Sequence, residues 1–292
     1  MRSSNYRSTI FLHAIGCDVQ INCRDPEAAE LLLANYGGMR VSKAADPALE
    51  YTIDGWRNGS QFRIRRCGCE PLIAADNSEV LFLFEKDLTI ELQKLRRDLY
   101  FVHAATLAMC GNAFLLVAAS GKGKSTTAWA LLHHGAEYLS DELAPLDVHG
   151  LTVQPYPHAI CLKRKPPQPY ALPQQTLSTS STLHIPTARL PNRAILMPMP
   201  LRAIFFFEYS PGSDAPELRA IGQAEAAARL YVHVLNPLAH AGDGLPAAVS
   251  VARNVACFSL ASADLRRTCE MIGNTFKPLT DNHFTSRAAA GR

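Results

Sequence analysis

Several protein classes are excluded by what this sequence lacks. No run approaches the ~20 apolar residues of a membrane-spanning helix. The longest candidate, residues 194–207, is interrupted by Pro198, Pro200 and Arg202. Charge of one sign is not in excess: 29 Lys and Arg against 26 Asp and Glu leave a formal +3. That balance carries no basic footprint for nucleic acid or for an anionic membrane surface. The eight cysteines include no pair at the two-residue spacing of a zinc knuckle, since Cys67 and Cys69 flank a single glycine. They read as reduced thiols, which sets the expectation of a cytoplasmic protein. Arg2 and Arg7 before Ile10-Phe11-Leu12 imitate the start of a signal peptide. His13 breaks that run and no small-residue cleavage pattern follows, so the segment reads as a strand.

What is present is ordinary globular chemistry, with 48% hydrophobic and 19% charged residues over 292 positions. Residues 1–97 read as an N-terminal α+β module. Strand character marks 11–22, 51–54 and 61–66, where Phe62 and Ile64 alternate with Arg63 and Arg65. Asp25 caps a helix with Pro26 in its first turn, and Gly37-Gly38 ends it. The apolar run Val80-Leu81-Phe82-Leu83-Phe84 reads as a buried strand, followed by a charged helix over 85–98. Residues 98–280 read as a second domain of α/β type. It contains a flexible Pro/Ser/Thr-rich segment at 166–200, with too little apolar surface to pack, and is followed by a disordered tail at 281–292.

The chemistry is concentrated between residues 100 and 142. An apolar strand over 113–119 leads into Ala118-Ala119-Ser120-Gly121-Lys122-Gly123-Lys124-Ser125-Thr126, and a helix with an apolar face follows over 125–134. This fits the phosphate-loop pattern G-x-x-x-x-G-K-[S/T], except that Ala118 stands in for the first glycine. Gly121 and Gly123 let successive N–H groups turn inward toward phosphate oxygens, and the helix presents its positive end to the same anion. In that arrangement Ser120, Gly121, Lys122, Gly123, Lys124, Ser125 and Thr126 bind nucleotide. Lys124 reaches the β- and γ-phosphates, and the Ser125 hydroxyl ligates Mg²⁺.

Asp141 comes seventeen residues after Lys124, with Glu142 beside it. A helix over 125–134 must return along the sheet, so a strand through Tyr138 and Leu139 ends near the loop. Two carboxylates there can do two jobs, one holding Mg²⁺ and the other accepting a proton from an attacking hydroxyl or water. A surface turn ahead of Pro145 is the plain alternative.

The ordered set Val102-His103-Ala104-Ala105, then 118–125, then Gly135 and Leu139-Ser140-Asp141-Glu142 resembles the HPr kinase/phosphorylase superfamily. The resemblance covers roughly residues 100–165, and is most like the short members found with peptide-maturation systems. It implies a P-loop, HPr-kinase-like (phosphoenolpyruvate-carboxykinase-like) fold with ATP and Mg²⁺ as cofactors. It also implies a catalytic set of His103, Lys124, Asp141 and Glu142, with Asp141 on the metal side and Glu142 as the base. Glu142 stands where the family often has a second aspartate, and the C-terminal phosphorylase signature has no counterpart here.

The sequence therefore sets the expectation of a kinase that transfers the γ-phosphate to a hydroxyl, Ser or Thr, of a peptide or small protein. A ribosomally made precursor peptide is the acceptor that the family implies. A nucleotide-binding module without catalysis and a small-molecule kinase are the alternatives. Partners in nucleic acid or membrane are not expected, and homo-oligomerisation is left open.

Overall fold

Turn and cap chemistry set the first elements. The computed structural model describes residues 8–56, 61–212 and 215–281. The strands β1 (Ser8–Ala14) and β2 (Cys17–Cys23) form an antiparallel hairpin, so the single strand expected over 11–22 is divided. Ile15 and Gly16, both at positive φ, make the turn between them. Asp25 then caps α1 (Pro26–Tyr36), its carboxylate accepting from the Glu27 and Ala28 amides. The strands β3 (Arg40–Val41), β4 (Leu49–Trp56), β5 (Gln61–Arg66) and β6 (Leu72–Ala74) complete a six-stranded sheet in the order β3-β1-β2-β4-β5-β6.

Residues 80–84 are not a strand. They lie within the helix α2 (Asn77–Leu95), which begins at the Asp76 cap and takes in most of the charged segment. Five consecutive apolar residues satisfy a period of 2 or of 3.6 equally well. Burial decides between the two readings. Val80, Leu81, Phe84, Leu88 and Leu92 are buried at helical spacing, while Phe82 is 64% exposed. Each of these five buried side chains contributes about 1.5–3 kcal/mol, which outweighs the local strand preference. These residues share a core with β1, β2 and α1.

Nine of the remaining strands build a second sheet. Its central part runs β10 (Glu137–Ser140), β8 (Ala104–Met109), β9 (Asn112–Val117), β16 (Met199–Tyr209), β18 (Ala256–Ser262) and β17 (Glu217–Ala220). The long β16 pairs parallel with both β9 and β18. Its first residues turn to β12 (Thr152–Val153), which leads on through β11 (Ala144–Asp147) to β7 (Tyr100–Val102). The apolar stretch 101–109 thus divides at His103 between two parts of the sheet. The helices α3 (Lys124–His133) and α6 (Leu265–Asp281) pack on one face of the sheet, and α4 (Gln223–Tyr231) and α5 (Leu245–Asn254) on the other. The chain is a mixed α/β fold with several sheets. Among the described residues no helix is long and apolar enough to cross a membrane.

Residues 166–200 correct an expectation. The strands β13 (Ile160–Leu162), β14 (Leu177–Ser178) and β15 (Leu183–Ile185) form a small sheet of their own. Tyr170 and Ile185 are buried in the core beneath α3, and the Tyr170 carbonyl accepts from the Trp129 indole at 3.0 Å. Tyr170, Ile185, Ile195 and Met199 are buried, while Leu196 and Met197 stay exposed. A composition count averages over such placement and so misses it. Of the tail, Asp281 ends α6 and residues 282–292 lie outside the described residues.

Candidate functional site

Strand register brings the candidate residues to one end of the sheet. The strand β8 lies between β9 and β10 and pairs antiparallel with both. Ala104, the first residue of β8, sits opposite Val117, so His103 is level with the exit of β9. Thr106 sits opposite Ser140, so the residues after Ser140 leave β10 at that same end. Three segments far apart in sequence therefore meet: His103, the loop 118–123, and Asp141-Glu142.

The loop has the geometry that its glycines allow. Gly121 and Gly123 adopt φ of +81° and +94°, conformations that a Cβ resists. A Cβ on Gly123 would lie 3.2 Å from the Phe207 ring, whereas one on Gly121 would meet nothing within 4 Å. Gly123→Ala is accordingly expected to cost more stability than Gly121→Ala, with each positive φ adding about 1–3 kcal/mol. Urea denaturation of the two variants measures the order, and equal losses would count against a close Phe207 contact. Ala118 is buried in the core above α3. A methyl group at the first glycine position is thus packing surface. No side chain caps α3, unlike α1 and α2, so the amides of its first turn keep no side-chain acceptor.

Lys124 opens α3 and is 3% exposed. Its Nζ lies 2.9 Å from Glu142 Oε1 and 3.6 Å from Asp141 Oδ1. The shorter approach is an ion pair whose angle falls short of a directed hydrogen bond. Asp141 is fully buried, and neither of its carboxylate oxygens has a hydrogen-bond partner among the described residues. Glu142 is half-exposed and hydrogen-bonded to His103 Nε2. Burial works against its ionisation, but the His103 hydrogen bond and the Lys124 charge outweigh that. Together they hold the carboxyl well below the usual carboxylate range. Glu142 also sits at φ +70°, a left-handed conformation that β10 and the turn after it impose on a non-glycine residue.

Ser125 and Thr126 follow in the first turn of α3, half-buried. Ser120, Gly121 and Lys122 are exposed. No family model matches the sequence, and no curated protein matches it. Among solved structures, the chain is similar to the HPr(Ser) kinase/phosphatase from Coxiella burnetii, at a TM-score of 0.35 and 10% identity. That alignment covers 62% of this chain and 99% of the other.

Four more residues lie around the cluster. His158 Nε2 donates to the Asp141 carbonyl at 2.6 Å; a carbonyl only accepts, so Nε2 carries the proton. His158 thereby holds the backbone of the acidic pair. The His233 carbonyl accepts from the His103 amide at 2.8 Å, and the two imidazole rings are 6.3 Å apart. Burial, with His103 and Lys124 nearby, pushes His233 toward the neutral form. Lys163, at the end of β13, donates to Ser120 Oγ at 3.0 Å. Phe207 limits the approach to Gly123 from β16. In the sequence, Lys163 is marked by the run Lys163-Arg164-Lys165 and His158 by the stretch 156–163, a weaker extension of the same resemblance; His233 and Phe207 carry no local signal.

Among the described residues no group of three or more His, Cys, Asp or Glu is placed to hold a metal ion. Mg²⁺ commonly takes only one or two carboxylates and completes its shell with water and substrate phosphates. The orphaned, fully buried Asp141 carboxylate fits that demand, and the Ser125 hydroxyl lies one residue from its partner Lys124.

Proposed function

We propose that the chain is an ATP- and Mg²⁺-dependent kinase of a Ser or Thr hydroxyl on a peptide or small protein. In this reading residues 98–280 form an HPr-kinase-like catalytic domain around a phosphate-binding loop, and residues 1–97 a separate α+β module. One observation carries it. A lysine buried at the uncapped start of a helix faces an unsatisfied buried carboxylate, a second carboxylate and a histidine. Structural ion pairs are seldom left with two orphaned oxygens, because such atoms lose hydration without compensation.

Each residue then has a separate task. The amides of the loop and of the first turn of α3 receive the phosphate oxygens. Lys124 leaves Glu142 for the β- and γ-phosphates, exchanging one anion for another. Glu142 loses the Lys124 ammonium and becomes a stronger base. Its carboxylate accepts the proton of the acceptor hydroxyl, while His103 fixes the orientation of that carboxylate through Nε2. The hydroxyl oxygen forms a bond to the γ-phosphorus as the bond to the β-phosphate oxygen breaks, and ADP leaves. Mg²⁺ held by Ser125 and Asp141 would supply positive charge against the negative charge on the phosphates. Lys163, anchored to Ser120, adds a cation at the loop.

ADP release at varied Mg²⁺, with and without Ser-containing peptides, tests the reading. Release is expected to need Mg²⁺ and to rise with a hydroxyl acceptor. Ser125→Ala is expected to need more Mg²⁺ for half-maximal nucleotide binding. Identical Mg²⁺ titrations for the two proteins would remove Ser125 as a ligand. Nucleotide binding with no peptide-dependent release would instead favour a module without catalysis.

A further inference from the structure

A cavity of about 510 Å³ lies between α1, α2 and the segment 180–184, and Glu142 is part of its wall. This is the size of a pocket that encloses a small-molecule ligand or a few residues of peptide. Tyr36, Leu81 and Phe82 supply apolar wall, and the large exposure of Phe82 on α2 is explained by its place here. Four carboxylates line the cavity: Asp76, Glu79, Glu85 and Glu142. Among the described residues no lysine or arginine does.

The hydrogen bonds these carboxylates accept leave their charges in place. Asp76 accepts from the Glu79 amide, and Glu79 from the Ala75 amide. Glu85 accepts from the hydroxyls of Tyr36 and Tyr156. All these donors are neutral, and only Glu142 faces a cation in the cluster, Lys124. His184, also in the wall, is held neutral at physiological pH, since burial and then His158 bring it down to about 4. The cavity is therefore negative, apolar in part, and bordered by the hydroxyls of Ser78, Ser180 and Ser181. Ser78 and Ser181 meet at 2.9 Å and tie α2 to the segment 180–184.

We infer that this cavity receives the acceptor, a peptide segment with its Ser or Thr hydroxyl at Glu142 and a lysine or arginine against Asp76, Glu79 and Glu85. A cation relieves the mutual repulsion of three carboxylates in a partly desolvated space, and an acidic segment would add to it. The aliphatic stem of Lys or Arg also suits the apolar wall of Tyr36, Leu81 and Phe82. The inference rests on Glu142 as the proton acceptor, and it adds that the N-terminal module selects the acceptor by charge.

The test separates binding from transfer. Anisotropy of two labelled peptides, Gly-Lys-Ser-Lys-Gly and Gly-Glu-Ser-Glu-Gly, is titrated with the full chain without nucleotide. The basic peptide is expected to bind more than tenfold tighter. Asp76→Asn and Glu79→Gln keep the oxygens that cap α2 and remove one charge each. Each is expected to weaken the basic peptide about tenfold, the low end of close charge-pair couplings. Ser180→Trp, which fills the cavity from its exposed rim, is expected to abolish peptide binding and spare nucleotide binding. Equal binding of the two peptides, or variants that bind as the parent does, would overturn the inference. Charge-selective binding with no transfer from ATP would sustain the cavity and remove the kinase reading. Transfer to both peptides at one rate would remove the cavity inference alone.

Discussion

Lys124→Met is expected to lower phosphoryl transfer by about 10²–10³-fold or more, the effect of removing one charge-stabilising donor from a reacting centre. It is also expected to destabilise the fold. Asp141 is fully buried with both oxygens unsatisfied, and the Lys124 ammonium at 3.6 Å is the cation paired with it. Deleting one partner of a buried pair costs about 3–5 kcal/mol, because the charge left behind stays desolvated. The double variant Lys124→Met with Asp141→Asn removes both charges and is expected to regain most of that stability, with no regain of activity. Urea denaturation and ADP release, read on the same four proteins, separate the two effects as a double-mutant cycle. A fully active Lys124→Met would end the phosphate-loop reading. A double variant no more stable than the single one would show that Asp141 does not depend on this lysine.

The second large effect divides the acidic pair. Glu142→Gln is expected to lower kcat by about 10²–10⁴-fold, the usual contribution of a positioned base. Its nucleotide affinity is expected to equal or exceed that of the parent. The reason is the ion pair at 2.9 Å: in the free protein Lys124 must leave Glu142 before it meets phosphate, and the amide removes that competition. Asp141→Asn is expected to weaken Mg²⁺-dependent nucleotide binding as well as turnover, since a neutral amide is a poor ligand for a hard dication. Nucleotide binding with and without Mg²⁺, alongside single-turnover transfer, measures both. If Glu142→Gln turns over normally and Asp141→Asn does not, the proton goes to Asp141 and the roles are exchanged. If neither variant changes anything, the pair takes no part in nucleotide binding or turnover.

The first helix and the loop–helix unit were legible because their determinants are local. Asp25 before Pro26, and Gly121 and Gly123 before Lys124, each act within a few residues of themselves. The helix α2 was not legible from 80–84 because a short apolar run satisfies two periods, and burial at Leu88 and Leu92 decides between them. Composition likewise misjudged residues 166–200, where Tyr170 and Ile185 reach the core beneath α3.

The candidate site divides along the same line. Which side chains can hold phosphate, metal or a proton is a property of residue type, and Lys124, Ser125, Asp141, Glu142 and His103 could be named from the sequence. That Glu142 takes both Lys124 and His103, and that His158 fastens the carbonyl behind it, follows from registers between distant strands. Ala104 opposite Val117 and Thr106 opposite Ser140 set those registers. Pairing across a sheet is decided by which apolar faces are buried together, and a one-residue slip would turn each side chain to the other face. Residue type and local spacing were enough to name the candidate groups and the glycines that shape the loop before Lys124. Which of them touch is settled in three dimensions, because those contacts join residues 17 to 39 positions apart that only the pairing of the strands brings together.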